Sequence, residues 1–208
     1  MPKVWADDEE VQFNEGIPSD THKIYELLMG ALAEQRKAVV EFIVDGNDAL
    51  SANSFPDGFE EIRAKSMTHD EITLRLIVAT ISQTQNLEAE IDAYSKNILS
   101  TPWTAVVKQM DQFIAKIQPF ADLIDNVSPY ASAYSPPWSE RINEIAKVQA
   151  TCLSQLLKAF EANNPASLSD EINSSFLPLI KNLKQIFSKE VIPHLRQIST
   201  PDSNNHWP

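Results

Sequence analysis

The chain has 208 residues, with 4 glycines, 13 prolines, one cysteine and a formal net charge of −12. So little glycine argues against all-β folds and phosphate-binding loops, and so acidic a chain repels nucleic-acid backbones. Charged residues at 22% and apolar residues at 43% suit a folded chain rather than a disordered one.

In chain order, residues 1–18 carry Asp7-Asp8-Glu9-Glu10, Gly16 and Pro18. They read as a poorly ordered acidic arm, with Val4, Trp5, Val11 and Phe13 available to dock it. No apolar run marks a leader there. A first helix starts at the capping residues Ser19-Asp20-Thr21 and carries Ile24, Leu28, Ala31, Gln35, Val39 and Phe42 at steps of three and four. Asp45-Gly46 ends it, with Gly46 as a left-handed cap. Residues 49–67 read as a loop with a short helix near 58–65.

Thr68-His69-Asp70-Glu71 fits a capping box and opens the best-signalled helix. Its stripe of Ile72, Leu76, Ala79, Gln83, Leu87, Ile91, Tyr94 and Ile98 predicts an unbroken rod over 68–99, about 48 Å long. Pro102-Trp103 starts the next helix, which Pro119 should kink or end near Gln118. Residues 126–137 read as a stiff loop holding three prolines, Tyr130 and Tyr134. A helix then runs from Trp138-Ser139 to Asn163-Asn164-Pro165. A last helix follows Ser167-Leu168-Ser169-Asp170, with bends expected at Pro178 and Pro193.

These elements predict an all-α fold, an elongated and mostly antiparallel bundle of five or six helices. The domain plan is an arm over 1–18, one helical domain over 19–199 and a polar tail over 200–208. The longest apolar run, Leu76-Ile77-Val78-Ala79, is far too short to span a bilayer. A cytoplasmic protein is the expectation.

The search for chemistry is mostly negative. His22, His69, His194 and His206 show no metal-ligand spacing, no nucleophile motif is present, and Cys152 sits on an apolar stripe. No cofactor and no catalytic or metal residue is assigned. Three features carry binding readings. Gln35 and Gln83 interrupt apolar stripes and would form a polar core layer or line a ligand site. Lys181, Lys184, Lys189 and Arg196 fall within an arc of about 140° on the last helix, a basic face for an acidic partner. Tyr130 and Tyr134 would form an aromatic recognition loop.

The sequence therefore predicts a non-enzymatic interaction or scaffold protein, with a protein partner or a second copy of itself. One alternative is a carrier of a small apolar ligand near Gln35 and Gln83. Another is a peripheral membrane protein using the basic face of the last helix.

Overall fold

Two tight turns at acidic residues organise the first part of the chain in the computed structural model, which describes residues 2–199. At Asp7-Asp8 both residues have positive φ, 49° and 69°, and at Asp45-Gly46 the values are 47° and 84°. Two consecutive left-handed residues make the two-residue turn whose twist matches a β-hairpin. The first turn joins β1 (Lys3–Ala6) to β2 (Glu9–Glu10), and the second joins β3 (Lys37–Val44) to β4 (Asn47–Asp48). Between the hairpins lies α1 (Thr21–Ala33), capped by Asp20, whose carboxylate accepts from the His22 and Lys23 amides.

The strand that unites them is β5 (Glu61–Thr68). It pairs in parallel with β1 and antiparallel with β3, giving the order β2-β1-β5-β3-β4. Each turn aspartate also holds β5. The Asp7 carboxylate accepts from the Ser66 amide at 2.7 Å and from the Ser66 hydroxyl. The Asp45 carboxylate accepts from the Glu60 and Glu61 amides at 3.0 and 2.8 Å. Helix α1 lays Ile24, Leu28 and Leu32 on Val4, Phe42, Val44, Ile62 and Ala64, closing a small core on one face of the sheet. Loop residues 49–60 are pinned by Phe55, which packs on His22, Tyr25 and Phe42.

The all-α expectation is thus overturned. The chain is 65% helical and carries a five-stranded mixed sheet. The acidic arm over 1–18 contains the β1–β2 hairpin, with Val4 fully buried. Where one helical domain over 19–199 is expected, the chain divides into two compact units, Met1–Ile72 and Thr73–Pro208. The tail over 200–208 lies outside the described residues.

A β-bulge gives β3 its helix-like spacing. The register of β3 slips between Val39 and Glu41, where Val40 is extra. The inward residues become Val39, Phe42 and Val44, and the step of three from 39 to 42 imitates a helix. The β-branched run Val39, Val40, Ile43, Val44 prefers a pleated strand. The helix has already stopped at Ala33, where the chain turns through Arg36 at φ 57°.

The capping box at Thr68 is present: the Thr68 hydroxyl accepts the Glu71 amide at 3.1 Å, and Glu71 accepts the Thr68 amide at 2.9 Å. It starts α2 (His69–Gln83). The predicted rod over 68–99 is broken, however, and α3 (Leu87–Ile98) begins after a turn at Thr84–Asn86.

In the second unit, α4 (Trp103–Tyr134) runs straight through Pro119 and Pro129. Each proline deprives the carbonyl four residues earlier of its partner. Those carbonyls belong to the exposed Ala115 and Asp125, where water can serve them. The inward residues of α4 keep a strict seven-residue period: Val106, Phe113, Phe120 and Val127 are all buried, as are Ile117 and Ile124. Its neighbour α5 (Ser139–Glu161) repeats the pattern with Ile142, Ile145, Cys152, Leu156 and Ala159, the spacing of a coiled-coil seam.

The last helical stretch has a longer repeat. It comprises α6 (Pro165–Glu171), α7 (Leu177–Ile186) and α8 (Ile192–Ile198), joined by π-helical turns at Ile172–Phe176 and Phe187–Val191. Asn164 caps its start, three residues before the expected Ser167. Leu168, Ile172, Phe176 and Ile180 are buried, and so are their counterparts fifteen residues on, Leu183, Phe187, Val191 and Leu195. Steps of four overshoot an α-helical turn by about 40° each, so such a stripe drifts out of the core. One wide π turn per repeat brings it back. Pro178 and Pro193 each stand two residues after a π turn.

Candidate functional site

Alternation along the strands sends every second side chain of the first unit's sheet away from α1. On β1 that residue is Trp5, on β5 they are Glu61, Arg63 and Lys65, and on β3 Glu41 and Ile43. Strand register sets them in rows. Trp5 is level with Arg63 and Arg63 with Ile43, while Glu10 and Asp48 close the row at the two edges. In the next row Lys65 is joined to Glu41 at 2.7 Å. A cleft of about 310 Å³ opens here, lined by Trp5, Asp8, Glu41, Ile43, Arg63, Ala64 and Lys65.

The charged groups of this face are paired across and along the strands. Arg63 grips Glu61 through two hydrogen bonds of 3.0 Å. Hydrogen bonding and attraction by Arg63 hold the Glu61 carboxyl below its ordinary range, and Glu41 likewise raises the Lys65 ammonium. The Arg63 and Lys65 side chains are 60% and 69% exposed, against 44% and 34% for Glu61 and Glu41. The indole Nε1–H of Trp5 is shielded from solvent and finds no acceptor among the described residues. An unmet buried donor costs about 1–3 kcal/mol.

A solvated sheet face normally carries only polar residues. This one carries an indole and Ile43. A face that mixes an aromatic, an aliphatic and an arginine inside a charged rim has the composition of a binding patch.

The residues singled out from sequence lie elsewhere. Gln35 and Gln83 are both exposed, one in each unit, so they form no polar core layer. Tyr130 is buried inside α4 and stacks on Trp138 at 5.8 Å, with Tyr134 beside it at 4.9 Å. The aromatic loop is therefore core, because α4 continues eight residues past the point where the loop was expected to start. The basic face of the last helix is also broken. Lys181 and Lys189 are exposed, but Lys184 turns inward. Its ammonium donates to the Thr84 carbonyl at 2.9 Å, pairs with Glu88 at 3.2 Å and lies over the Phe120 ring.

Other polar groups of the second unit serve packing. Ser95 and Ser169 are buried and hydrogen-bond to each other at 3.0 Å, joined by Asn173. Cys152 is buried, and burial with the nearby Glu171 charge pushes its thiol up to about 11. His22 is exposed and packs edge-on against Phe55, His69 and His194 are half-buried, and His206 lies outside the described residues. Among the described residues no cluster of three metal-ligating side chains forms, and no helix is long and apolar enough to cross a membrane.

Sequence reading missed the sheet face because it took β1 for a disordered arm, β3 for a helix and β5 for a loop. The alternation Ile62-Arg63-Ala64-Lys65 was the available signal. Compared with known proteins, the chain matches no family model, no curated protein and no solved structure.

Proposed function

We propose that this chain is a non-enzymatic interaction protein whose first unit docks a protein partner on the open face of its sheet. The row Trp5–Arg63–Ile43 supports this reading most directly. It sets a large aromatic and an aliphatic side chain on the face that α1 leaves uncovered. Trp and Arg are the residues that most often dominate binding energy at interfaces.

The second unit supports a scaffold role. Its α4 and α5 carry regular seams, and its polar groups are spent on register, as in the Ser95–Ser169 pair. The carrier reading loses its core residues, since Gln35 and Gln83 are both exposed, and the membrane-surface reading loses Lys184 to internal packing.

Site-specific photo-crosslinking in the producing cell tests the proposal. A photoreactive phenylalanine at Ile43 or Lys65 should give discrete protein adducts, and the same residue at Lys23 or Glu26 on α1 should give none. Equal labelling from both sets, or none from either, would refute it.

A further inference from the structure

We infer that the segment received by the open sheet face is basic: a short stretch of protein chain whose arginine or lysine settles on the Trp5 indole beside Asp8 and Glu10, with an apolar neighbour on Ile43. This rests on the docking role proposed above and names its chemistry.

The face carries five carboxylates, Asp8, Glu10, Glu41, Asp48 and Glu61, and three cations, Lys3, Arg63 and Lys65, a net charge of −2. Most of these groups are already engaged with one another or with their own turns. Glu61 holds Arg63, Glu41 holds Lys65, and Asp48 accepts from the Leu50 and Ser51 amides. Asp8 also attracts both Arg63 and Lys65, so neither cation is left uncompensated. Asp8 and Glu10 themselves are exposed, and among the described residues neither side chain is hydrogen-bonded or joined in an ion pair. The acceptors that the face keeps for a partner are therefore these two carboxylates.

Their position beside an indole points to a cation. Glu10 is level with Trp5 across the β1–β2 pair, and Asp8 lines the cleft with Trp5. An aromatic face attracts a guanidinium or ammonium, and tryptophan does so most strongly. Carboxylates at its edge supply charge-assisted hydrogen bonds to the same cation. Arg63 stands on the other side of Trp5, gripped by Glu61. An incoming cation is thus received on the side of the β1–β2 hairpin.

The wider field acts in the same direction. Residues 1–72 hold 6 basic and 16 acidic side chains, a net charge of −10. That field draws a basic segment in and repels a nucleic acid or an anionic membrane surface. Ile43, beyond Arg63 in the same row, gives a protein segment an apolar contact that a free amine would not use.

The test is selection from a random 12-residue peptide library displayed on phage, with the full chain as bait. The best peptides are then measured by fluorescence anisotropy against variants. The expected consensus places Arg or Lys within three residues of an aliphatic or aromatic side chain. Affinity should fall about fivefold or more for the double variant Asp8→Asn, Glu10→Gln. The same loss of charge on α1, Glu26→Gln with Glu34→Gln, should change it less than about twofold. Arg63→Gln, which frees Glu61, should not weaken binding, whereas Trp5→Phe and Ile43→Thr should. Far-UV circular dichroism checks that each variant keeps its fold.

Basic peptides weakened equally by the hairpin pair and the α1 pair would be reading net charge alone, and the inference would fail. Acidic or uncharged peptides that still lose affinity with Trp5→Phe and Ile43→Thr would overturn the basic partner and leave the docking face standing. No enriched peptide, or binders indifferent to every variant, would overturn the docking face as well.

Discussion

Replacing Lys184 by Met separates a structural lysine from a binding one. Its ammonium is mostly buried, at 16% side-chain exposure, and donates to the carbonyl just beyond the end of α2. A hydrogen bond from a charged donor contributes about 1.5–3 kcal/mol. Two observations lower the figure. The Leu87 amide also donates to the Thr84 carbonyl, so that oxygen is not orphaned. Glu88 is 37% exposed and can turn to water, so its ion pair adds little. Met keeps the hydrocarbon stem against Phe120. The net loss is about 1.5 kcal/mol, or about 3–6 °C in the melting temperature of the second unit. Differential scanning calorimetry measures it, with Lys181→Met as the exposed control, expected within about 0.5 kcal/mol of wild type. A harmless Lys184→Met, or a control equally damaging, would refute the inward placement and restore a basic binding face.

Three further outcomes are expected. Burial pushes the Asp7 carboxyl up, but hydrogen bonds from Ser66 and the nearby Lys37 outweigh it and hold the group below its ordinary value of 3.8. A lowered folded-state pKa stabilises above the unfolded value and is lost as the pH falls through the folded one. The melting difference between wild type and Asp7→Asn should therefore hold steady above about pH 5 and shrink below about pH 4; a difference that grows in acid would contradict it. Deleting Ser174 together with Pro178→Ala should turn the first π turn into ordinary α-helix and leave the second unit folded by circular dichroism. Deleting Lys181 instead rotates the buried residues beyond it by about 100° and should cost far more stability; equal effects would deny that the π turn is a one-residue insertion. The buried, high-pKa Cys152 should react with a thiol reagent at pH 8 only after denaturation, and rapid labelling of the native chain would show the seam of α5 to be open.

The helices after residue 68 were largely legible because their stripes are long and their start signals local. Thr68–Glu71 and Pro102-Trp103 each mark a helix start without help from distant residues. Proline misled where its effect depends on surroundings. Pro119 and Pro129 sit in a helix whose stripe continues past them, and the stripe won. The sheet was illegible for a different reason. β1 and β5 are parallel neighbours 58 residues apart in register, Val4 against Ile62, and neither is hydrophobic enough to announce itself. The bulge at Val40 then dressed β3 in helical spacing. Asp7-Asp8 and Asp45-Gly46 read as acidic and capping residues, although Asp-Gly between apolar runs is also a hairpin signal. The open sheet face went unseen because it exists only when three strands align.

That alignment is the most direct point to measure. Nuclear Overhauser contacts in the isotope-labelled full chain should link the backbones of Trp5 and Arg63, and of Arg63 and Ile43, as neighbours in one sheet. Strong sequential amide–amide contacts through residues 37–44 instead would mean that the first helix continues, and the face built on Trp5, Arg63 and Ile43 would not exist.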